Sequence, residues 1–227
     1  MVFPPNYGFP PDLTDEEIGL ILQLYTMTAP DKIFALIDAI RYIKENYIQG
    51  DIVECGVWKG GSMMAAAKNL VRLKDTCRAI HLFDTFAGMP EPLERDADYS
   101  GTSAQARLEN ETGVQAYAPL TEVRRVMEST EYPHEKIRYV EGNVEETIPA
   151  EAPDCIALLR LDTDWYESTR HELIHLFPCL STTGGVLIVD GYGEWKGSRL
   201  ATDEYFSQNA IKVFLVRIES GRIAVKQ

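Results

Sequence analysis

Four short apolar runs, each with a carboxylate at or beside its carboxyl end, are the feature that most limits how this chain can fold. They are Asp51-Ile-Val-Glu54-Cys-Gly56, Ala79-Ile-His-Leu-Phe83 before Asp84, Cys155-Ile-Ala-Leu-Leu-Arg-Leu161 before Asp162, and Val186-Leu-Ile-Val189 before Asp190. Strands this apolar need cover on both faces, and helical stretches separate them, so the pattern predicts a mostly parallel sheet between two helical layers. Ile137-Arg-Tyr-Val140, closed by Glu141-Gly142-Asn143, predicts another strand, and the tail adds β-rich runs from Lys212 to Arg217 and from Arg222 to Val225. In open α/β sheets the ligand sits beyond the carboxyl ends of the strands. Glu54, Asp84, Asp162 and Asp190 would gather there; capping explains one such acid, but not four on one rim.

Helices are signalled between these runs. Asp12 and Thr14 precede Asp15, Glu16 and Glu17, acids suited to the first turn of a helix through about Tyr25. Ala29-Pro30-Asp31 opens a stronger helix with Ile33, Phe34, Ile37, Ile40 and Ile43 at helical spacing, stopped by Gly50. Others are predicted from Met63 to Leu73 and from about Ser168 to Phe177. The first twelve residues carry four prolines and are read as irregular. The polar stretch from 88 to 134 is long for a connection between strands, which predicts a lid where an acceptor would meet Tyr99 or its neighbours. Residues 1–227 read as one domain, with a helical segment over 1–49 ahead of the sheet.

Composition narrows the function. The chain has 227 residues and is 45% hydrophobic, enough for a core without disulfide or metal. A net charge of −13 argues against tracking nucleic-acid phosphates. No run of about 18 apolar residues predicts a membrane span, and the N-terminal residues lack the pattern of a signal peptide. Cys55, Cys77, Cys155 and Cys179 are scattered without CxxC spacing, which reads as reduced cysteines in a cytoplasmic protein.

Two constellations carry chemistry. Glu54-Cys-Gly56-Val57-Trp58-Lys-Gly60-Gly61-Ser62 has the form E-x-G-x-x-x-G between a strand and a helix, so backbone can approach a ligand and free N–H groups can meet an anion. A tight turn with no ligand is the alternative; a nicotinamide-dependent oxidoreductase is disfavoured because G-x-G-x-x-G is missing. Asp84 is placed to accept ribose hydroxyls or to cap a turn. Asp162, Asp164 and Asp190 would set hard oxygens at one rim, suited to Mg²⁺ or to solvation alone. Trp165 and Tyr166 read either as a stacking platform or as core. His171 and His175 are four apart on one helix but lack a third metal ligand, and read as structural.

Several runs together resemble the macrocin O-methyltransferase (TylF/MycF-like) family of S-adenosylmethionine-dependent enzymes. They are Gly50 to Ser62, Phe83-Asp-Thr-Phe-Ala-Gly-Met-Pro90, Gly142-Asn-Val-Glu-Glu-Thr-Ile-Pro149, Leu161-Asp-Thr-Asp-Trp-Tyr-Glu-Ser-Thr169, Ile188-Val-Asp-Gly-Tyr-Gly-Glu-Trp-Lys-Gly197 and Ala201-Thr-Asp-Glu-Tyr-Phe206. The resemblance implies a Rossmann-like class I methyltransferase fold with a seven-stranded sheet, and O-methylation of a sugar-like or other small-molecule hydroxyl. It implies that Glu54, Gly56, Val57, Trp58 and Ser62 surround the methionine end of S-adenosyl-L-methionine, that Asp84 holds the ribose and that Asn143 lies near the adenine. It implies Asp162 and Asp190 as ligands of Mg²⁺ and Asp164 as general base. One position departs: where the family commonly has Asp-Asp, this chain has Asp190-Gly191. That departure leaves open a cofactor-binding protein that senses or scaffolds without turnover. A homodimer is compatible with the N-terminal helices.

Overall fold

The computed structural model describes residues 8, 9, 11, 13–22, 26–110 and 115–227. Most of the proline-rich opening, Asp12, and the end of the first helix near Tyr25 lie outside the described residues.

Seven strands form one sheet in the order β3-β2-β1-β4-β5-β7-β6. The strands are β1 (Asp51–Cys55), β2 (Ile80–Asp84), β3 (Ile137–Glu141), β4 (Ile156–Leu161), β5 (Val186–Val189), β6 (Val216–Ile218) and β7 (Gly221–Val225). β1 to β5 pair in parallel, while β7 runs antiparallel to β5 and β6 antiparallel to β7. The chain steps outward from β1 to β3 and then returns to place β4 on the other side of β1. The crevice at that reversal is where such sheets bind ligands.

Alternation along the strands divides the core into two layers. Ile52 and Leu158 join Leu36, Ile40 and Ile43 of α2 (Pro30–Glu45), Met63 and Leu70 of α3 (Gly61–Arg72), and Val123 and Met127 of α5 (Leu120–Glu128). Their neighbours Val53 and Leu159 face the other way, onto Leu173 and Leu176 of α7 (Tyr166–Leu176) and Tyr205 and Phe206 of α8 (Lys196–Gln208). Period-two strands with opposite faces both buried thus produce the three-layer arrangement expected from their apolar composition.

The stretch from 88 to 134 contains two kinds of structure. Its first part, with α4 (Ala104–Asn110), crosses the carboxyl rim of the sheet. It is pinned by Asp96, whose Oδ1 accepts from the backbone N–H of Tyr166 at 2.8 Å and so caps the start of α7. Trp165 and Trp195 meet edge to face at 4.9 Å beneath it. Its second part is α5, whose Val123, Val126 and Met127 are buried against the α2–α3 layer. In the tail, the predicted run from Lys212 shortens to Val216–Ile218. Ile211, Val213 and Leu215 turn instead onto the α7–α8 layer, so their segment packs through side chains rather than through a strand ladder.

Candidate active site

Beyond the carboxyl ends of β1, β2, β4 and β5 lies a cavity of about 370 Å³. Of the residues singled out from sequence, Gly56, Trp58, Asp84, Asn143, Asp162, Asp164 and Asp190 line it. Glu54, Val57 and Ser62 are buried and are not among its lining residues. Nor is Tyr99, which is 75% exposed; Met89, Pro90, Arg107 and Ala116 are what the crossing segment contributes instead.

The turn after β1 is shaped by close approach. Gly56 has φ +82°, and a Cβ there would stand 2.3 Å from the carbonyl oxygen of Asp162. Only glycine meets both the left-handed conformation and that proximity. Asp84, closing β2, stitches this turn to its own: Oδ2 accepts from the N–H groups of Val57 (2.6 Å) and Trp58 (3.0 Å), and Oδ1 from that of Phe86 (2.7 Å). Oδ2 is filled by its two donors, while Oδ1, with one, keeps lone-pair capacity. Asn143 follows β3 at the N-terminal side of the short α6 (Val144–Thr147).

A buried charge network underlies the other side, and its centre was not singled out from sequence. Arg160 of β4 is 2% exposed. Its Nη1 donates to Glu54 Oε1 and Asp162 Oδ2, both at 2.8 Å, and its Nη2 to Asp190 Oδ1 (2.5 Å) and Thr28 Oγ1 (2.9 Å). Lys32 of α2 donates from Nζ to Asp190 Oδ2 at 2.7 Å and to the Asp190 carbonyl at 3.1 Å. Arginine inside an otherwise apolar strand was the available signal, because a buried guanidinium requires carboxylate partners. Lys32 had a weaker one, standing next to Ile33 and Phe34 on a helix face that is buried.

The network sets proton affinities. Burial pushes Glu54 up to about 7 despite Arg160 beside it, and its Oε2 is buried without a hydrogen-bond partner. Burial would also raise Asp190, but Arg160 and Lys32 outweigh it and hold its carboxyl below the usual range. Among the described residues Asp164 has no such direct pairing. Burial, with the negative charges of Asp190 and Glu194, pushes it up to about 8. Asp162 is raised as well, by burial and by the charges of Asp190 and Asp164, but its Oδ2 is held by Arg160; Asp164 is the cavity carboxyl placed to exchange a proton near neutral pH without breaking an ion pair.

The residues expected to hold Mg²⁺, Asp162 and Asp190, are engaged by cationic side chains. Both oxygens of Asp190 and one of Asp162 are committed to side-chain cations. At position 191, where a third carboxylate would stand, a Cβ would come within 2.1 Å of Asp164 Oδ1. Asp164 thus fills the volume a ligand from 191 would use. Among the described residues no group of three or more His, Cys, Asp or Glu side chains is arranged to hold a metal ion. The donors present do not fit a divalent cation.

The secondary candidates resolve as structure. Trp165 is buried against Trp195, and its Nε1 donates to the Pro90 carbonyl at 3.0 Å. The Tyr166 hydroxyl donates to Glu204 at 2.6 Å. The His171 and His175 rings lie 4.4 Å apart and tilted by 52°, and His171 Nε2 bonds the Ile148 carbonyl. All four cysteines are free. No helix among the described residues is long and apolar enough to cross a membrane.

Comparison with known proteins agrees with this geometry. The chain is 34% identical over 168 residues to the 8-demethyl-8-(2,3-dimethoxy-alpha-L-rhamnosyl)-tetracenomycin-C 4'-O-methyltransferase of Streptomyces olivaceus, covering 74% of this chain and 62% of that protein. It is 32% identical over 196 residues to the demethyldecarbamoylnovobiocin O-methyltransferase of Streptomyces niveus, covering 86% of this chain and 72% of that one. The solved structure of the O-methyltransferase NovP superposes with a TM-score of 0.78 at 29% identity, covering 89% of this chain and 82% of that one. The calicheamicin methyltransferase CalS11, at 21% identity and a TM-score of 0.67 over 92% of this chain and 90% of that one, shares the fold. The model of the macrocin O-methyltransferase (TylF) family matches residues 21–226, and the chain belongs to that family.

Proposed function

We propose that this protein transfers the methyl group of S-adenosyl-L-methionine to a hydroxyl of a sugar-bearing small molecule. One observation carries the reading: a single cavity is lined by Gly56, Asp84 and Gly142 together with Asp164, whose carboxyl is pushed up to about 8 by burial and neighbouring negative charge. Gly56 and Trp58 would meet the methionine end of the cofactor, Asp84 the ribose and Asn143 the adenine, with Glu54, Val57 and Ser62 holding the turn from below. The acceptor hydroxyl would give its proton to Asp164 as its oxygen attacks the sulfonium methyl. The O–C bond forms as the S–C bond breaks, the electron pair passes to sulfur, and S-adenosylhomocysteine leaves. In-line placement of oxygen, methyl and sulfur supplies much of the rate. A sugar acceptor is supported by the rhamnosyl group in the name of one relative. Mg²⁺ assistance, implied by the family resemblance, has no part in these steps because Asp162 and Asp190 are held by Arg160 and Lys32.

The test begins with calorimetric titration of S-adenosylmethionine and S-adenosylhomocysteine into the protein, followed by incubation with a panel of rhamnosides and other glycosides read by mass spectrometry. Saturable binding of one cofactor per chain and a mass gain of one methyl group support the reading. No cofactor binding would sink it. A second reading, a cofactor-binding protein without turnover, draws on Gly191 in place of a carboxylate; it predicts binding with no methylated product from any glycoside.

A further inference from the structure

The donors that fail to suit a divalent cation are arranged around two cations the chain already has. Arg160 and Lys32 together carry the charge of one divalent ion, and both are almost wholly buried, at 2% and 5% exposure. Between them they take both oxygens of Asp190, and Arg160 takes Asp162 as well. Lys32 lines the cavity beside Asp162, Asp164 and Asp190. Two of its three N–H bonds go to the side chain and carbonyl of Asp190; Glu219, at 3.8 Å, is beyond hydrogen-bond reach. A third N–H is left for a ligand oxygen. Gly191 fits the same arrangement, since its lack of a side chain gives Asp164 the space to stand there.

We propose that Lys32 takes the place of a divalent cation in this site. Resting on the methyl-transfer reading above, this makes Lys32 a residue that touches the acceptor. Its ammonium donates to the acceptor oxygen and stabilises the negative charge that develops there, with Arg160 fixing Asp190 behind it. The acceptor proton passes to Asp164, and the methyl group moves from sulfur to oxygen with no metal required. A positive charge already in position at a developing oxyanion costs no reorganisation during the step.

The test is Mn²⁺ binding, read by electron paramagnetic resonance on the full chain saturated with S-adenosylhomocysteine. Binding to scattered surface acids is removed by subtracting the same titration on Asp162→Asn. The expected result is no difference between wild type and Asp162→Asn. A second variant, Lys32→Ala, frees one side of Asp190 and is expected to gain, after the same subtraction, a one-to-one Mn²⁺ site that wild type lacks, because an ammonium no longer repels the ion at contact distance. A wild-type one-to-one Mn²⁺ site that Asp162→Asn abolishes would overturn the proposal. So would the absence of a one-to-one Mn²⁺ site in Lys32→Ala that still binds S-adenosylhomocysteine, since the ammonium would then not occupy a cation's place. Failure of every form to bind S-adenosylhomocysteine counts against the methyltransferase reading instead, and calorimetry reports that separately.

Discussion

Asp164 has φ +68°, a conformation that costs a non-glycine residue on the order of 1 kcal/mol and that clusters at functional sites. The twist turns its carboxylate toward the space beside Gly191, away from the Arg160 and Lys32 contacts that hold Asp162 and Asp190. Asp164→Asn keeps the shape and removes the base. Turnover of a glycoside acceptor should fall about 10²–10⁴-fold while S-adenosylhomocysteine affinity, measured by calorimetry, stays the same. Full activity in the asparagine variant would refute the assignment. Because burial and neighbouring carboxylates raise Asp164 to about 8, its ionised form is scarce at pH 6 and grows as pH rises. The wild-type rate should therefore climb about tenfold per pH unit below that value and level off above it. A flat profile from pH 6 to 9, with product formation and not release limiting, would contradict this. Gly56, Asp84 and Asp164 were legible in the sequence because strand ends and turn glycines are local features. Arg160 and Lys32 were not: Asp162 is two residues from Arg160, but Glu54 is 106 away and Asp190 is 158 from Lys32, and only the closed sheet brings them together.

At the scale of elements, α1 (Asp15–Leu22) shows how local capping and tertiary pairing share one side chain. Thr14 and Glu17 form a reciprocal capping box: the Glu17 N–H donates to Thr14 Oγ1 at 3.2 Å and the Thr14 N–H to Glu17 Oε2 at 2.9 Å. The same Glu17 carboxylate then pairs with Arg41 of α2 and Arg72 of α3, tying three helices at one buried point. Burial would raise the Glu17 pKa, but the Thr14 bonds and the two guanidiniums outweigh it and hold it below the ordinary value. A carboxylate lowered in this way stabilises the fold above the ordinary glutamate range and loses that contribution as pH falls through its lowered folded value. Glu17→Gln should lower stability in urea by about 2–3 kcal/mol at pH 7, with the difference from wild type narrowing in acid. A loss below about 0.5 kcal/mol at pH 7 would show that the clamp behaves as an ordinary surface pair. The helix start was readable from Asp15, Glu16 and Glu17; the clamp was not, because sequence gives no distance between α1 and α3. The amphipathic α5 was harder to see for another reason. Its buried Val123, Val126 and Met127 do have helical spacing, but polar neighbours dilute the signal inside a long hydrophilic stretch. The tail run from Lys212 reads as β-rich through the consecutive Val213, Phe214, Leu215 and Val216, yet Val213 and Leu215 pack on the α7–α8 layer and the strand begins only at Val216.

For the whole molecule, the order β3-β2-β1-β4-β5-β7-β6 places the reversal between β1 and β4 directly under the cavity, so turns from both halves of the sheet line it. The alternation of strands and helices made the layered class readable. Closure of the far edge by the antiparallel β6–β7 pair depends on β7 finding β5, a contact no local pattern specifies. Because the cavity is built from turns that are separate in the unfolded chain, its ligand binds only the folded state and must raise stability by mass action. S-adenosylhomocysteine at a hundred times its dissociation constant should add about 2.7 kcal/mol, which for a chain of this size raises Tm by about 5–10 °C. Asp84→Ala removes the acceptor for the Val57, Trp58 and Phe86 N–H groups, so its unliganded Tm should drop as well. The informative quantity is each protein's shift relative to its own unliganded value. That shift should shrink by more than half in Asp84→Ala if the carboxylate also holds the ribose, because weaker binding at fixed ligand concentration adds less stability. An equal shift in both proteins would leave Asp84 as a turn cap alone. Adding Mg²⁺ or EDTA to the wild-type sample should leave its ligand-induced shift unchanged, since the carboxylates that would hold the metal are already neutralised by Arg160 and Lys32.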